Sequence, residues 1–396
     1  MEAVGGELNA FTSREYTTFV THSLKEHAGL SLDVLSDLVC RPSFHSADIK
    51  KEKQVVIQEI HMAEEQLEDI IFDEYFKLVF PDSPLGKPIL GTRKSIEGMQ
   101  RETIVDYHRR QYTPDNIIVT AAGSLDHDAV VDLVGKHLKF KSKAAGRSSA
   151  GAKARQSKVT IGGARPADGR SVHGRNLGLV DSVSIEGVAT SPERIQPENW
   201  SFREVTQRPA EQVHILFGLP GSAFKDRLRF EGLIVNTLLG GGMTSRLYQS
   251  VREERGLVYS IFSSLNSFTD TGLMTIYAGT EPVKAPTVVE LILKEIKRLK
   301  KNGLKKSDIE FFKTQVLGQI LLGADDIENR MNSLGVNEMV LGKYRSVDDV
   351  MRDIRSVNLD SVQEYIETYF DLEQMGILLM GATPEEPTRR WLEQLG

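Results

Sequence analysis

Glu52 and Glu59 stand seven residues apart in the stretch "KKEKQVVIQEI", whose composition favours a helix. Seven residues is close to two full turns, so both carboxylates project from one face with a drift of only about 20°. Acids placed in this way can serve a metal ion, one as ligand and one in support. A solvated helix face carries the same pattern and stays open as the alternative. The other ligands would have to be histidines from elsewhere. The nine present are His22, His27, His45, His61, His108, His127, His137, His173 and His214, and no two are four residues apart. No helix therefore offers a His pair on one face. His61 and Glu65 have i,i+4 spacing and read as a surface ion pair. The single cysteine, Cys40, excludes an intramolecular disulfide and a multi-cysteine zinc site. In the second half, Arg252 reads from pattern alone as a helix-end cation and Tyr259 as a core aromatic. Gly240, Gly241 and Gly242 have no Lys-Ser/Thr after them and read as a helix stop, not a phosphate loop.

The elements that carry these residues recur along the chain. "SADIKKEKQVVIQEI" from Ser46 is similar to "KSDIEFFKTQVLGQI" from Lys306, with Asp48 facing Asp308 at an offset of 260. "TIVDYHRRQY" from Thr103 is similar to "SVQEYIETYF" from Ser361, and "NIIVTAAG" ending at Gly123 to "GILLMGA" at Gly381, both at an offset of 258. Three matches in one order predict two copies of one α+β unit: a strand, a helix, a long helix, another helix and a closing strand. Phe312 and Gln319 occupy the places of Glu52 and Glu59 in the second copy, so the fold itself does not demand the acids. That copy opens near Ser201 with a strand, "EQVHILFGLPG", and a helix, "DRLRFEGLIVNTLLGGG". The same offset puts the start of the first copy about 57 residues before Met1. We therefore expect an α+β protein of two homologous domains, the first truncated at its N-terminus. Met1 to Val4 with Gly5 and Gly6 read as the last turn of a helix and its left-handed stop, and the alternation at Leu8 and Ala10 as a strand.

A length of 396 residues, 40% of them hydrophobic and 26% charged, allows two domains with full cores. Between about Lys139 and Glu198 Ser, Gly, Ala and Arg dominate, too little apolar surface to fold, which predicts a flexible connector. The expected division is 1–140 for the truncated first domain, 141–198 for the linker and 199–396 for the second domain. A net charge of −6 gives no reason to expect nucleic acid as a partner. No run of 18 apolar residues predicts a membrane span, and a cytoplasmic protein with no membrane partner is expected.

Taken together, "GGELNAFTSREYTTF", "KKEKQVVIQEI", "PLGKPILGT" and "GGGMTSRLYQSVREERGLVYS" resemble the pitrilysin/insulinase family of inverted-zincin peptidases. They are most similar to bacterial processing-protease-like members and the mitochondrial processing peptidase β subunit. The resemblance runs from residue 1 to about 385 and leaves out only the connector. It implies two homologous α+β halves enclosing a chamber, zinc as cofactor, and extended peptides or presequences as substrates. In that family an H-x-x-E-H helix supplies two His ligands and a Glu base, and a Glu on a later helix is the third protein ligand. The match puts Glu59 at the third-ligand position and Glu52 at the supporting acid. H-x-x-E-H does not occur in this sequence. It is expected upstream of "MEAVGG", so the chain as given is expected to bind no zinc and to be inactive.

Glu7, Leu8, Asn9, Ala10 and Phe11 match the family's edge strand, which pairs with an extended peptide through backbone groups. A strand paired only within its own sheet is the alternative. Arg252 and Tyr259 match a pair that reaches toward the substrate carbonyl, a cation and a phenol suited to a developing oxyanion. The function implied is a zinc-dependent metalloendopeptidase. The alternative is a non-catalytic peptide-binding or scaffold subunit beside an active homologue, in a homo- or heterodimer with a related subunit. Glu52 and Glu59 argue for the first, since a subunit freed from catalysis has no chemical need of them.

Overall fold

The computed structural model describes residues 1–140, 159–162, 180–188 and 200–395. The chain begins with β1 (Glu7–Thr12), β2 (Tyr16–Leu24), α1 (Ala28–Cys40), α2 (Ser46–Glu65), α3 (Leu67–Val79), α4 (Arg93–Gly98) and α5 (Arg101–Gln111). It continues through β3 (Ile117–Ala122), α6 (His127–His137), β4 (Val159–Gly162), β5 (Val180–Val188), β6 (Arg203–Gln207), β7 (Val213–Pro220) and α7 (Arg229–Leu239). Then come β8 (Val258–Ser267), β9 (Gly272–Thr280), α8 (Ala285–Asn302), α9 (Lys306–Gly323) and α10 (Ile327–Leu341). The last elements are α11 (Val347–Ser356), α12 (Leu359–Tyr369), β10 (Gly376–Gly381) and α13 (Glu385–Glu393). The first residues form the expected turn and stop: the Gly5 N–H donates to the Glu2 carbonyl at 2.8 Å, and Gly5 is left-handed at φ 70°.

Two compact units share the chain, each built from three separate stretches. The first takes Met1–Val55, Lys94–Pro192 and Leu321–Ser346; the second takes Val56–Arg93, Glu193–Ile320 and Val347–Gly396. The units are therefore not the two halves, 1–140 and 199–396, that the sequence led us to expect. The reason lies in α3 and α10. Each has an apolar face that is covered by a sheet made largely from the other half of the chain.

Both units contain a five-stranded mixed sheet. The first has the order β1-β2-β5-β3-β4 and the second β8-β9-β7-β10-β6. In each, the last pair is parallel and all others are antiparallel. Place for place, β5 stands in the first sheet where β7 stands in the second, and β4 where β6 stands. Yet β6 and β7 precede the rest of their sheet along the chain, whereas β4 and β5 follow theirs. Both belong to 141–198, so the connector reading needs correction at Val159–Gly162 and Val180–Val188, which are strands. Composition averaged over the whole segment hid two short β-branched runs, "VTIG" and "VDSVSIEGV", each long enough for a strand. The rest of that segment lies outside the described residues.

The second sheet is buried on both faces, and every residue of β9 and β10 is buried. Helices α7, α8 and α12 cover one face with Ile234, Leu238, Val288, Ile292 and Ile366. Helix α3 covers the other, setting Ile71, Tyr75, Phe76 and Val79 against Leu216, Tyr277, Leu378 and Met380. Each such side chain contributes roughly 1.5–3 kcal/mol by leaving water. Gly218 and Gly376 lie opposite each other in the ladder, and a Cβ on either would come within 2.5 Å of the Tyr75 hydroxyl. Two absent side chains thus make the slot for the ring, whose hydroxyl donates to the Gly376 carbonyl at 3.2 Å. In the first unit, α1 and α6 place Leu32, Leu35, Val39 and Val130 against Val119 and Ala121 of β3. On its opposite face, Met331 of α10 meets Val20 and Ala122.

Candidate functional site

Glu52 and Glu59 both lie on α2, as expected, and both are exposed. The spacing puts Val55 and Met62 on the same stripe, and these are 49% and 62% exposed. The counterpart of Glu52 in the second unit, Phe312, is buried at 6%, so the two helices use this position differently. His61 approaches Glu64 at 3.9 Å, one position before the Glu65 partner expected from spacing.

Among the described residues no group of three His, Cys, Asp or Glu side chains is placed to hold a metal ion. A carboxylate such as Glu59 can supply one ligand only, so the described residues do not by themselves make up the zinc site that the family resemblance implies.

Glu7 to Phe11 form most of β1, and all six residues of that strand are exposed. It ends the first sheet, paired to β2 from Glu7 opposite His22 to Thr12 opposite Thr17. Its other edge meets no strand among the described residues. The Asn9 side chain accepts from the Ala10 N–H at 2.8 Å, so one backbone donor is engaged by the strand's own chain. The two nitrogens of His22 lie 3.9 Å from Glu7 and 3.8 Å from Glu328 of α10, both beyond hydrogen-bond reach. Phe11 meets Tyr16 edge-on with centroids 6.5 Å apart. Beside the β1–β2 turn a cavity of about 160 Å³ is lined by Thr12, Tyr16, Tyr107, Gln111, Tyr112 and Asn116.

In the second unit, Arg252 lies in a π-helical turn, Tyr248–Glu253, with its guanidinium over the Tyr248 ring at 5.0 Å. Tyr259 is 58% exposed, and its hydroxyl donates to Glu281 at 3.4 Å. The pattern-based assignment of Tyr259 to the core is therefore corrected. Lys284, followed by Tyr259, holds the Glu281 carboxyl below its ordinary range. The glycine run does end α7, as expected. The Gly240 carbonyl accepts from the Ser263 N–H of β8 at 3.2 Å, and a Cβ on Gly240 would stand 2.4 Å from that nitrogen.

Arg246 was missed by sequence reasoning. It bonds Glu295 of α8 at 3.0 Å and Asp308 of α9 at 2.8 Å, partners 49 and 62 positions away, and no local pattern announces pairs so distant. Among the described residues, no helix is long and apolar enough to cross a membrane.

Residues 1–93 match the family model described as insulinase, peptidase family M16, and residues 98–316 the model described as the peptidase M16 inactive domain. An uncharacterized zinc protease of Mycobacterium bovis is 33% identical over 364 residues, which is 91% of this chain and 74% of that protein. The uncharacterized zinc protease YmxG of Bacillus subtilis is 29% identical over 98% of this chain and 83% of its own length. Among solved structures, the peptidase M16 inactive domain from Pseudomonas fluorescens superposes with a TM-score of 0.74 at 16% identity, covering 97% of this chain and 82% of that one. A protease from Helicobacter pylori gives 0.75 at 15%, with 96% and 82% covered. Agreement over nearly the whole chain, in sequence and in fold, leads to one conclusion: the chain belongs to the insulinase family of peptidases, M16.

Proposed function

We propose that this chain binds extended peptides, adding them as a strand to the open edge of β1, in the service of zinc-dependent endopeptidase chemistry. The exposed edge strand carries the proposal. Its six residues are exposed and its far edge meets no strand among the described residues, and main-chain pairing tolerates many sequences. Separately, within the second unit, Arg252 and Tyr259 are proposed as polar contacts to a peptide carbonyl, and the exposure of both supports this role. Glu59 is the proposed metal ligand and Glu52 its supporting acid. The sequence as given holds no H-x-x-E-H, so the reading gives its own residues peptide binding and orientation, not bond cleavage. The shared strand order of the two sheets supports internal duplication. A related subunit is the proposed partner, in a homo- or heterodimer.

A fluorescein-labelled extended peptide tests this by anisotropy. It should bind saturably, and the same peptide N-methylated at alternate positions should bind at least about tenfold more weakly, because each lost backbone bond is worth about 1 kcal/mol. Equal affinity for the two would end the strand-addition reading. Metal analysis and a chelator-controlled cleavage assay on the same sample separate the two classes of function. Binding with neither zinc nor cleavage favours the non-catalytic peptide-binding subunit; one zinc per chain with chelator-sensitive cleavage favours the endopeptidase.

A further inference from the structure

We infer that Arg246 is a positioning residue, setting the direction of Arg252 by tying the turn that carries it to two helices; this rests on Arg252 as a peptide contact. Arg246 lies between Ser245 and Leu247, both fully buried, and Val251 on the next turn is fully buried as well. One arm of its guanidinium donates to Glu295 of α8 at 3.0 Å and the other to Asp308 of α9 at 2.8 Å. The side chains of Arg246 and Glu295 are only 21% and 11% exposed. Glu295 also meets Arg298 at 3.4 Å.

A planar fork bound at both arms has a fixed orientation, which a lysine at the same place cannot reproduce. Two uncharged bonds add to the hold: Thr244 donates to Gln315 of α9 at 3.1 Å, and Gln249 to the Met243 carbonyl at 2.7 Å. Two residues after Arg246 the backbone widens into the π-helical turn that ends at Glu253. Such turns carry an extra residue, so the side chains beyond them point where a plain helix would not send them. Arg252 emerges from this turn exposed and stacked on Tyr248. Largely buried ion pairs seldom stabilise a fold more than apolar residues of the same volume would. An arginine between two acids is better explained here by the orientation it fixes.

The test is a double-mutant cycle on affinity for the fluorescein-labelled extended peptide, using wild type, Arg246→Met, Arg252→Ala and the double variant. We expect Arg246→Met to weaken binding about tenfold and to add little once Arg252 is gone, since residues acting through one another are not additive. Arg246→Lys should recover less than half of the loss. Asp308→Asn removes one arm only and serves the same cycle if Arg246→Met does not fold. Unchanged affinity in Arg246→Met, or an equal loss with and without Arg252, would overturn the inference and leave the peptide-binding reading standing. A wild-type protein that binds no peptide would overturn both.

Discussion

At Tyr259 the β8 strand carries one residue more than its partner, because Val258 and Ser260 lie opposite the consecutive residues Thr280 and Gly279 of β9. A bulge of this kind breaks the strict alternation of a strand and re-aims the extra side chain. Val258 stays buried while Tyr259 turns to solvent, its hydroxyl donating to Glu281. Tyr259→Phe should therefore leave the unfolding free energy, measured by urea titration, within about 0.5 kcal/mol of wild type, as exposed substitutions do. The same variant should bind the labelled peptide more weakly. A large loss of stability with unchanged binding would return Tyr259 to a structural role. The stretch "REERGLVY" could not reveal this on its own, since a bulge is a property of two strands in register.

The strands and helices themselves were legible wherever their periodicity was strong. The stretches from Ser46, Lys306, Thr103 and Ser361 are the helices α2, α9, α5 and α12, and "NIIVTAAG" and "GILLMGA" contain β3 and β10. Less legible were the strands inside a polar segment and the π-helical turn, where local composition points elsewhere. One element offers a test through its histidine. His214 of β7 is half-buried with Nδ1 2.7 Å from the Tyr277 hydroxyl, and burial lowers its pKa below the ordinary value of 6.5. Burial also raises the Tyr277 pKa, so the phenol stays protonated beside the imidazole. With the folded pKa depressed, the unfolded chain binds more protons between that pKa and 6.5. This contribution to stability is complete above pH 6.5 and declines as pH falls through the window. Urea midpoints at pH 7.5 and 5 should differ less in His214→Asn than in wild type. An equal difference in both proteins would show that His214 titrates as it does in the unfolded chain.

No local pattern tells which sheet a helix covers, and at the scale of the molecule that is where sequence reasoning stopped. The apolar face of α3 is plain in "LEDIIFDEYFKLV", yet the glycines that receive Tyr75 are in β7 and β10. Residues 1–198 and 199–396 produced separately should each fail to give a cooperative unfolding transition, because each lacks a stretch of the unit it mostly builds. Co-expressed, the two pieces should purify together. Two monomeric halves, each unfolding cooperatively alone, would refute this. The arrangement also sets a schedule for synthesis. Tyr75 and the carbonyl that receives its hydroxyl are 301 positions apart. At about 5–20 residues per second, a ribosome needs about 15–60 s to travel that distance. Until β10 emerges the apolar face of α3 has only part of its cover, a standing demand on whatever chaperones the cell supplies. The second unit can close only after nearly the whole chain has emerged, so slower translation would lower the yield of folded protein without changing the stability of what does fold.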